Sequence, residues 1–242
     1  MQKINQKYID SVVKQALKED VKPFGDITTK LILTKKCKAK IIAKQNGIIA
    51  GLDFCKSAFN LIGKETIFLK LVKDGARVKK GEVVASISAK NKTILTAERT
   101  ALNFLGHASG IATLTDEFVK RTSKNIKICC TRKTTPNLRL LDKYAVKKGG
   151  GYNHRFNLSD EIMIKDNHFN SNLNLKIILK KALKTKKIIT VEIENIKQLR
   201  EVLDLKFKRI LFDNMNLNTL QKCLKICGKK YETEYSGNVS LK

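Results

Sequence analysis

The sequence lacks several features that would quickly assign it to a class. It contains no tryptophan and only two prolines, and aromatic residues make up 6% of its 242 residues. Because 42% of the residues are hydrophobic, the chain is a globular one, and collagen-like or low-complexity architectures are excluded. No apolar run reaches the ~18 residues of a membrane span, and charges occupy the N-terminus where a signal peptide needs an apolar core. We therefore expect a cytoplasmic protein without a membrane partner.

Cysteine and histidine are few and scattered. The six cysteines form no CxxC pair, and the three histidines lack the spacing of metal ligands. We expect Cys129 and Cys130 to be reduced core residues, and Cys223 and Cys227 to share one face of a helix. The motifs GxxxxGK[ST], strand-linked GxGxxG, GxSxG and HExxH are also missing. P-loop, Rossmann, serine-hydrolase and HExxH metalloprotease chemistry are therefore not indicated.

Positive charge, in contrast, is abundant. The 49 Lys and Arg residues exceed the 22 Asp and Glu residues, so the net charge is +27, yet only eight of the basic residues are arginine. Nucleic-acid-binding surfaces usually concentrate basic residues in a stripe with aromatic side chains. Here the lysines are spread along the chain, as at Lys35, Lys36, Lys229 and Lys230. We therefore expect solvated lysine faces and no specific nucleic-acid partner, while an acidic or phosphorylated partner stays open.

Two patterns follow one another along the chain. An amphipathic helix over residues 4–17 precedes short β-rich runs and turns over residues 37–89, and a long helix covers 95–121. Buried-looking strands that alternate with helices come next. These strands span residues 126–130, 162–164, 188–193, 210–212 and 231–235. We predict an α/β protein with an N-terminal α+β sandwich domain over residues 1–105 and an incomplete parallel α/β barrel over residues 106–242.

Polar residues follow five of these strands. They are Thr131-Arg132-Lys133, Lys165-Asp166-Asn167, Glu194-Asn195, Asp213-Asn214 and Ser236-Gly237-Asn238. One such residue commonly caps the next helix, but ligands of parallel α/β folds bind outside the carboxyl ends of the strands. Five polar strand ends in succession therefore favour a binding site.

Six basic residues that cluster by sequence indicate the chemistry of that site. They are Arg99, Arg132, Lys133, His154, Arg155 and Lys165. Guanidinium groups bind carboxylates and phosphates bidentately, so we expect a strongly anionic substrate. Glu194 and Asp213 are suited to sugar hydroxyls or to Mg2+. The glycines at 149–151 indicate either a close backbone approach to a ligand or a flexible loop.

Seven segments resemble the quinolinate phosphoribosyltransferase family. They are GDITT at 25–29, ERTALNFL at 98–105, SGIATLT at 109–115, TRKTTP at 131–136, LRLLDKYAV at 138–146, GGGYNHR at 149–155 and LSDEIMIKDNH at 158–168. The resemblance implies that quinolinate and phosphoribosyl pyrophosphate, with Mg2+, give nicotinate mononucleotide, pyrophosphate and CO2. It also implies a homodimer, or a higher oligomer, with shared active sites.

The resemblance also implies roles for individual residues. Arg132, His154 and Arg155 would hold the carboxylates of quinolinate, with Thr131 in the same site, and Arg99 of the partner subunit would reach in. Lys133 and Lys165 would be catalytic residues beside both substrates. Glu194 and Asp213 would also be catalytic residues, which act on the ribose hydroxyls and, indirectly, on magnesium. Ser236, Gly237 and Asn238 would form part of the phosphate-binding edge.

The sequence departs from the family pattern in places. Family chains continue a few dozen residues past Ser236-Gly237-Asn238, so we expect a shortened chain with an open barrel and an incomplete 5′-phosphate site. Asn137 replaces a common glycine, and Tyr152 replaces a common histidine. Three alternatives remain: an inactive binding homologue, a basic nucleic-acid-associated protein, and a phosphoribosyltransferase for another base such as nicotinate.

Overall fold

The computed structural model describes residues 4–169 and 174–241, apart from the side chains of Asp166 and Phe169. The described residues form two compact units, one ending at His154 and the other beginning at Arg155. Each unit has its own apolar core. The domain boundary predicted between residues 105 and 106 stays a prediction.

The first unit combines helices with short, mainly antiparallel strands. Its elements are α1 (Gln6–Val21), α2 (Ile27–Lys30), β1 (Lys36–Ile42), β2 (Gly47–Ile48), α3 (Leu52–Ile62), β3 (Ile67–Lys70), β4 (Arg77–Val78), β5 (Val83–Lys90), α4 (Asn91–Arg121), β6 (Cys129–Cys130), α5 (Arg139–Lys148) and β7 (Tyr152–Asn153). Strands β1, β5 and β3 form an antiparallel sheet in that order, and β2 pairs with β4. Strands β6 and β7 pair in parallel.

Helix α4 is the central helix of the first unit. It packs against α1, α3 and α5. Its buried residues include Ala97, Ala101, Ala108 and Ala112, which recur at helical spacing on one face. Small side chains on this face allow neighbouring helices to approach closely. The opposite face of α4 remains exposed at Arg99.

The second unit is a parallel α/β layer. Its elements are β8 (Ile162–Ile164), α6 (Asp166–Phe169), α7 (Leu175–Leu183), β9 (Ile189–Ile193), α8 (Ile196–Val202), β10 (Arg209–Asp213), α9 (Leu217–Cys227) and β11 (Glu232–Ser236). The strand order is β11-β10-β9-β8, and all neighbouring strands are parallel. The predicted α/β class, with a sheet-containing N-terminal part and a parallel C-terminal part, is confirmed.

The two faces of this parallel sheet differ in polarity. Along β9, Val191 and Ile193 belong to the apolar cluster that contains residues of α7, α8 and α9. Side chains alternate along a strand, so Thr190, Glu192 and Glu194 lie on the other face. On β9, this second face therefore carries polar side chains, and Glu194 continues it past the carboxyl end of the strand.

Several elements differ from the predictions. The strand expected at 126–130 is reduced to Cys129–Cys130, which pairs only with the two-residue β7. Because so short a strand is little covered, Cys129 is exposed and Cys130 is half-buried, and the prediction of two core cysteines was wrong. Cys223 and Cys227 are buried on α9, as predicted. Within the described ranges, no helix is long and apolar enough to cross a membrane.

Thiol labelling should separate the cysteines by their environment. Burial, with a smaller contribution from the charge of Asp74, raises the pKa of the Cys55 thiol to about 12. Burial and the nearby Cys223 raise the pKa of Cys227 to about 11. Because the thiolate is the reactive form, a maleimide at neutral pH should modify the exposed Cys129 before either buried thiol. Peptide mass spectrometry over a time course would measure the order, and earlier modification of Cys55 would contradict it.

Candidate active site

Predicted site residues lie at the ends of all four strands of the second unit. Lys165 follows β8, Glu194 follows β9, and Asp213 and Ser236 end β10 and β11. The strand register pairs Asp213 directly with Ser236. We call this polar border of the parallel sheet the carboxyl edge. It collects one cation, two carboxylates and a hydroxyl from four separate chain segments.

Hydrogen bonds join the ends of β10 and β11. Ser236 Oγ donates to Asp213 Oδ1 at 2.5 Å, and the Asn214 N–H donates to the Ser236 carbonyl oxygen at 2.9 Å. Asn238 Nδ2 donates to Asn214 Oδ1 at 3.3 Å. Gly237 lies between these groups with a φ of 97°. The Ser236-Gly237-Asn238 segment is therefore held against Asp213 and Asn214.

Gly237→Ala should disrupt this part of the carboxyl edge. A Cβ at residue 237 would lie 2.0 Å from Asn214 Oδ1, and the φ of +97° disfavours any side chain. We expect the free energy of unfolding to fall by about 2 kcal/mol or more, measured by chemical denaturation, together with a loss of activity.

Gly81→Ala is the matched control. Gly81 also has a positive φ, +89°, but nothing lies within 4 Å of its added Cβ. This variant therefore reports the backbone strain without the collision. Equal destabilisation of the two variants would mean that the contact with Asn214 has no effect.

Lys165 has a partner that sequence reasoning missed. Lys165 Nζ donates to Glu192 Oε2 at 2.5 Å, and the Lys165 N–H donates to His168 Nδ1 at 2.9 Å. Glu192, the second-to-last residue of β9, is only 5% exposed. One sequence signal was available: Glu192 lies within an apolar run that predicts a buried strand, and a carboxylate in such a strand needs a partner. Position after a strand predicts Glu194 as a site residue, but it gives no indication that Glu192 pairs with Lys165.

In the first unit, β6 and β7 bring two predicted site segments together. The register pairs Cys130 with Asn153, so Thr131 and His154 follow side by side. Lys143 Nζ, on α5, donates to the carbonyl oxygens of Thr131 at 3.4 Å and His154 at 3.2 Å. Lys143 is 1% exposed. This buried ammonium ties the two segments to α5, and sequence reasoning did not identify it.

Asp142 anchors the loop that follows Lys133. Its carboxylate accepts a hydrogen bond from the Thr135 N–H at 2.8 Å and lies 2.7 Å from His107 Nε2. His107 of α4 is thus held by the Asp142 carboxylate. Asn137 in the same loop has a φ of 62°, a conformation that asparagine tolerates better than most residues. Asparagine is therefore compatible with the positive φ at this position.

Arg132 carries an unsatisfied donor. Its Nε is buried and has no hydrogen-bond partner within the described residues. Its neighbours are fixed in a turn, in which Thr131 Oγ1 accepts from the Lys133 N–H at 3.0 Å. Leaving a buried charged donor unpaired costs free energy, which a bound carboxylate would recover. Arg132 is therefore suited to bind an anion.

The glycines at 149–151 have a packing role. A Cβ on Gly149 would lie 2.2 Å from the Ala112 carbonyl oxygen, and one on Gly151 would lie 2.7 Å from Thr115 Cγ2. Both contacts are with α4. Gly149 and Gly151 therefore allow the chain after α5 to lie directly on α4, and the expected approach to a ligand stays a prediction.

Arg99 lies beside an exposed apolar segment of the first unit. Asp26 accepts a hydrogen bond from Thr96 Oγ1, one turn before Arg99 on α4, at 2.9 Å. Near Asp26, Phe24 and Leu31 are 76% and 86% exposed. Large apolar side chains exposed together are typical of a protein contact surface. The prediction that Arg99 serves a partner subunit is not tested by a single chain.

Glu194 and Asp213 suit a magnesium ion that arrives with a diphosphate. The part of the chain that the structure describes contains no cluster of three or more His, Cys, Asp or Glu side chains able to hold a metal. Mg2+ is often bound by one or two carboxylates together with substrate phosphates and water. Two carboxylates at one edge fit that pattern. The role of these residues toward Mg2+ stays a prediction.

Comparison with known families defines the class of the chain. Residues 26–109 match the N-terminal domain of quinolinate phosphoribosyl transferase, and residues 111–242 match its C-terminal domain. The chain therefore belongs to the quinolinate phosphoribosyltransferase family.

Individual relatives agree with this family. The chain is 42% identical to a probable nicotinate-nucleotide pyrophosphorylase [carboxylating] of Bacillus subtilis, over 90% of this chain and 77% of the relative. It is 36% identical to quinolinate phosphoribosyltransferase [decarboxylating] 2b of Nicotiana tabacum, over 96% and 73%. The crystal structure of NadC from Streptococcus pyogenes matches with a TM-score of 0.92 at 38% identity, covering 100% of this chain and 87% of NadC.

Proposed function

We propose that this chain transfers the phosphoribosyl group of phosphoribosyl pyrophosphate to quinolinate, with decarboxylation, as a step of NAD biosynthesis. The products are nicotinate mononucleotide, pyrophosphate and CO2. The observation that carries the proposal is the buried Nε of Arg132, which has no hydrogen-bond partner among residues 4–169 and 174–241, in a chain of this family. A planar substrate with two carboxylates would satisfy that donor.

Quinolinate binding requires several cations because the ring carries two carboxylates. We assign this task to Arg132, His154 and Arg155, with Thr131 alongside and Arg99 of the partner subunit completing the set. Lys143 supports the assignment for His154, because it holds the carbonyl oxygens of Thr131 and His154. A substrate with one carboxylate, such as nicotinate, would leave part of this positive charge unpaired.

The transfer step builds positive charge at the anomeric carbon while pyrophosphate leaves. Carboxylates close to the ribose stabilise this positive charge, and cations close to the leaving pyrophosphate stabilise its negative charge. We assign Glu194 and Asp213 to the ribose hydroxyls and, indirectly, to Mg2+, which neutralises part of the pyrophosphate charge when bound. Ser236, Gly237 and Asn238 provide a short polar turn for the phosphate.

Decarboxylation leaves an electron pair on the ring carbon beside the cationic nitrogen. A nearby ammonium stabilises this charge, and a proton must then reach the carbon. Lys133 and Lys165 are the two cations that we assign to this step. Lys133 is exposed, whereas Lys165 is already bound to Glu192.

We propose a cytoplasmic homodimer as the working form. The exposed apolar residues Phe24, Ile27, Leu31 and Leu33, which precede β1, support a contact between subunits on the side of Arg99. The proposal predicts a mass of about two chains in solution, which sedimentation analysis would test. A monomer that retains full activity would remove the need for Arg99 of the partner subunit.

The proposed function is tested by a direct assay. Quinolinate, phosphoribosyl pyrophosphate and Mg2+ are supplied, and nicotinate mononucleotide and CO2 are measured, with EDTA and nicotinate as parallel conditions. We expect both products from quinolinate, no reaction with EDTA and little product from nicotinate. The same chain, extended with a family-like C-terminal segment, is the second arm. Product from the extended chain alone would restrict the proposal to the longer protein, and no product from either would contradict it.

A further inference from the structure

Glu192 occupies an unusual position for a carboxylate. All five residues of β9 are buried, and Glu192 is the fourth of them, one residue before the strand ends. A buried carboxylate is costly unless a cation or several donors compensate its charge. Glu192 must therefore owe its place to a specific partner.

That partner is Lys165, and the ion pair is asymmetric. The Nζ–Oε2 distance is 2.5 Å, with 39% of the Lys165 side chain exposed but only 6% of the Glu192 side chain. Residue 164 pairs in register with Val191, which places Lys165 beside Glu192 where β8 ends. Glu192 thus binds the ammonium from the buried side, while part of the Lys165 side chain stays accessible at the carboxyl edge.

Three other acidic residues of the second unit share a different partner. Arg209 lies 3.1 Å from Glu161, 3.4 Å from Glu232 and 3.2 Å from Glu234. That network begins at the first residue of β10, at the end of the strand opposite to the carboxyl edge. The charge pairing of Lys165 is therefore separate from the network around Arg209.

We propose that Glu192 is a positioning residue that orients the Lys165 ammonium toward the substrates. The inference rests on the proposed function, in which Lys165 lies beside both of them. Because Glu192 compensates the charge of Lys165, this lysine supplies a directed N–H donor rather than a net positive charge. Exposed Lys133 then provides the uncompensated cation.

A double-mutant cycle tests this dependence. Glu192→Gln keeps the shape of the side chain and removes its charge. We expect it to lower kcat about 10- to 100-fold and to change the KM of either substrate by less than about threefold. The reason is that a misdirected Lys165 ammonium would still allow binding but would stabilise the transition state less. In the Lys165→Ala background, the same substitution should lower kcat by less than about twofold further. Glu192→Asp should recover part of the loss.

Glu234→Gln is the matched control. It neutralises another poorly exposed carboxylate of the same sheet face, but one bound to Arg209. Glu234→Gln alone can lower kcat by any factor. In the double variant with Lys165→Ala, we expect the two factors by which kcat falls to multiply. If the Glu192→Gln loss also multiplies fully with that of Lys165→Ala, Glu192 is a structural residue and the inference is overturned.

A second measurement does not depend on activity. If the wild-type chain and its extended form make no product, the proposed function fails, and the ion pair is then judged by acetylation of lysines with an amine-reactive reagent. We expect Lys165 to react severalfold faster in Glu192→Gln than in wild type, because the ion pair no longer has to break. Lys176, bound to the exposed Asp204, should react equally in both proteins. An unchanged rate at Lys165 would overturn the inference.

Discussion

Arg132→Ala should raise the KM for quinolinate by about a hundredfold, while the KM for phosphoribosyl pyrophosphate changes by less than about threefold. A charge-assisted hydrogen bond contributes about 1.5–3 kcal/mol, and a factor of ten corresponds to about 1.4 kcal/mol. Loss of one strong carboxylate contact therefore accounts for the hundredfold effect. Initial rates measured while each substrate is varied in turn would separate the two KM values.

Two further variants make the result specific. Arg200→Ala removes an exposed arginine of α8 and should leave both KM values unchanged. Arg132→Lys keeps the charge but loses the planar pair of donors, so it should restore only part of the affinity. If Arg132→Ala weakened both substrates equally, a general distortion of the loop would explain the loss better than a carboxylate contact.

The regular elements were predictable because their patterns are local. Helix α1 and the long helix α4 follow from apolar residues at helical spacing, and the buried strands β9 and β10 follow from their apolar runs. Helix α5 was missed because its buried positions include Asp142 and Lys143, which look like surface residues in a sequence. Their burial depends on partners from other segments.

The same distinction applies to the candidate site. Polar residues after parallel strands could be assigned to one edge, because every such strand delivers its last residue to the same border of the sheet. The bonds that fix those residues could not be assigned, since Glu192 is bound to Lys165 across neighbouring strands and Lys143 to the carbonyl oxygens of two loops. Sequence patterns place residues on a face but do not identify partners that are distant in the chain.

Both units nevertheless use one physical device. A buried charged side chain binds groups in the neighbouring surface segment and so restricts their positions: Lys143 in the first unit and Glu192 in the second. Because packing fixes the buried group, the exposed residues bonded to it are held in one orientation without additional contacts at the surface. Catalysis of group transfer depends on such preorganised charges.

Mixing Arg99→Ala with Lys133→Ala should restore about a quarter of the wild-type activity, although each variant alone is expected to be nearly inactive. If Arg99 of the partner subunit completes each site, a mixed dimer contains one site with both residues intact and one site with neither. Random pairing of equal amounts makes about half of the dimers mixed, and half of the sites in those dimers are active. Co-expression, or unfolding and refolding of the mixture, allows the subunits to exchange before the assay.

The control mixture combines Arg132→Ala with Lys133→Ala. These neighbouring residues follow the same strand, β6, and so belong to the same site. Each of the two sites in a mixed dimer therefore lacks either Arg132 or Lys133, and neither site is intact. Recovery with Arg99→Ala and none with Arg132→Ala would establish that Arg99 acts across the subunit boundary. If neither mixture recovers although mixed dimers are detected by mass, Arg99 acts within its own chain, and the exposed segment from Phe24 to Leu33 must serve another purpose.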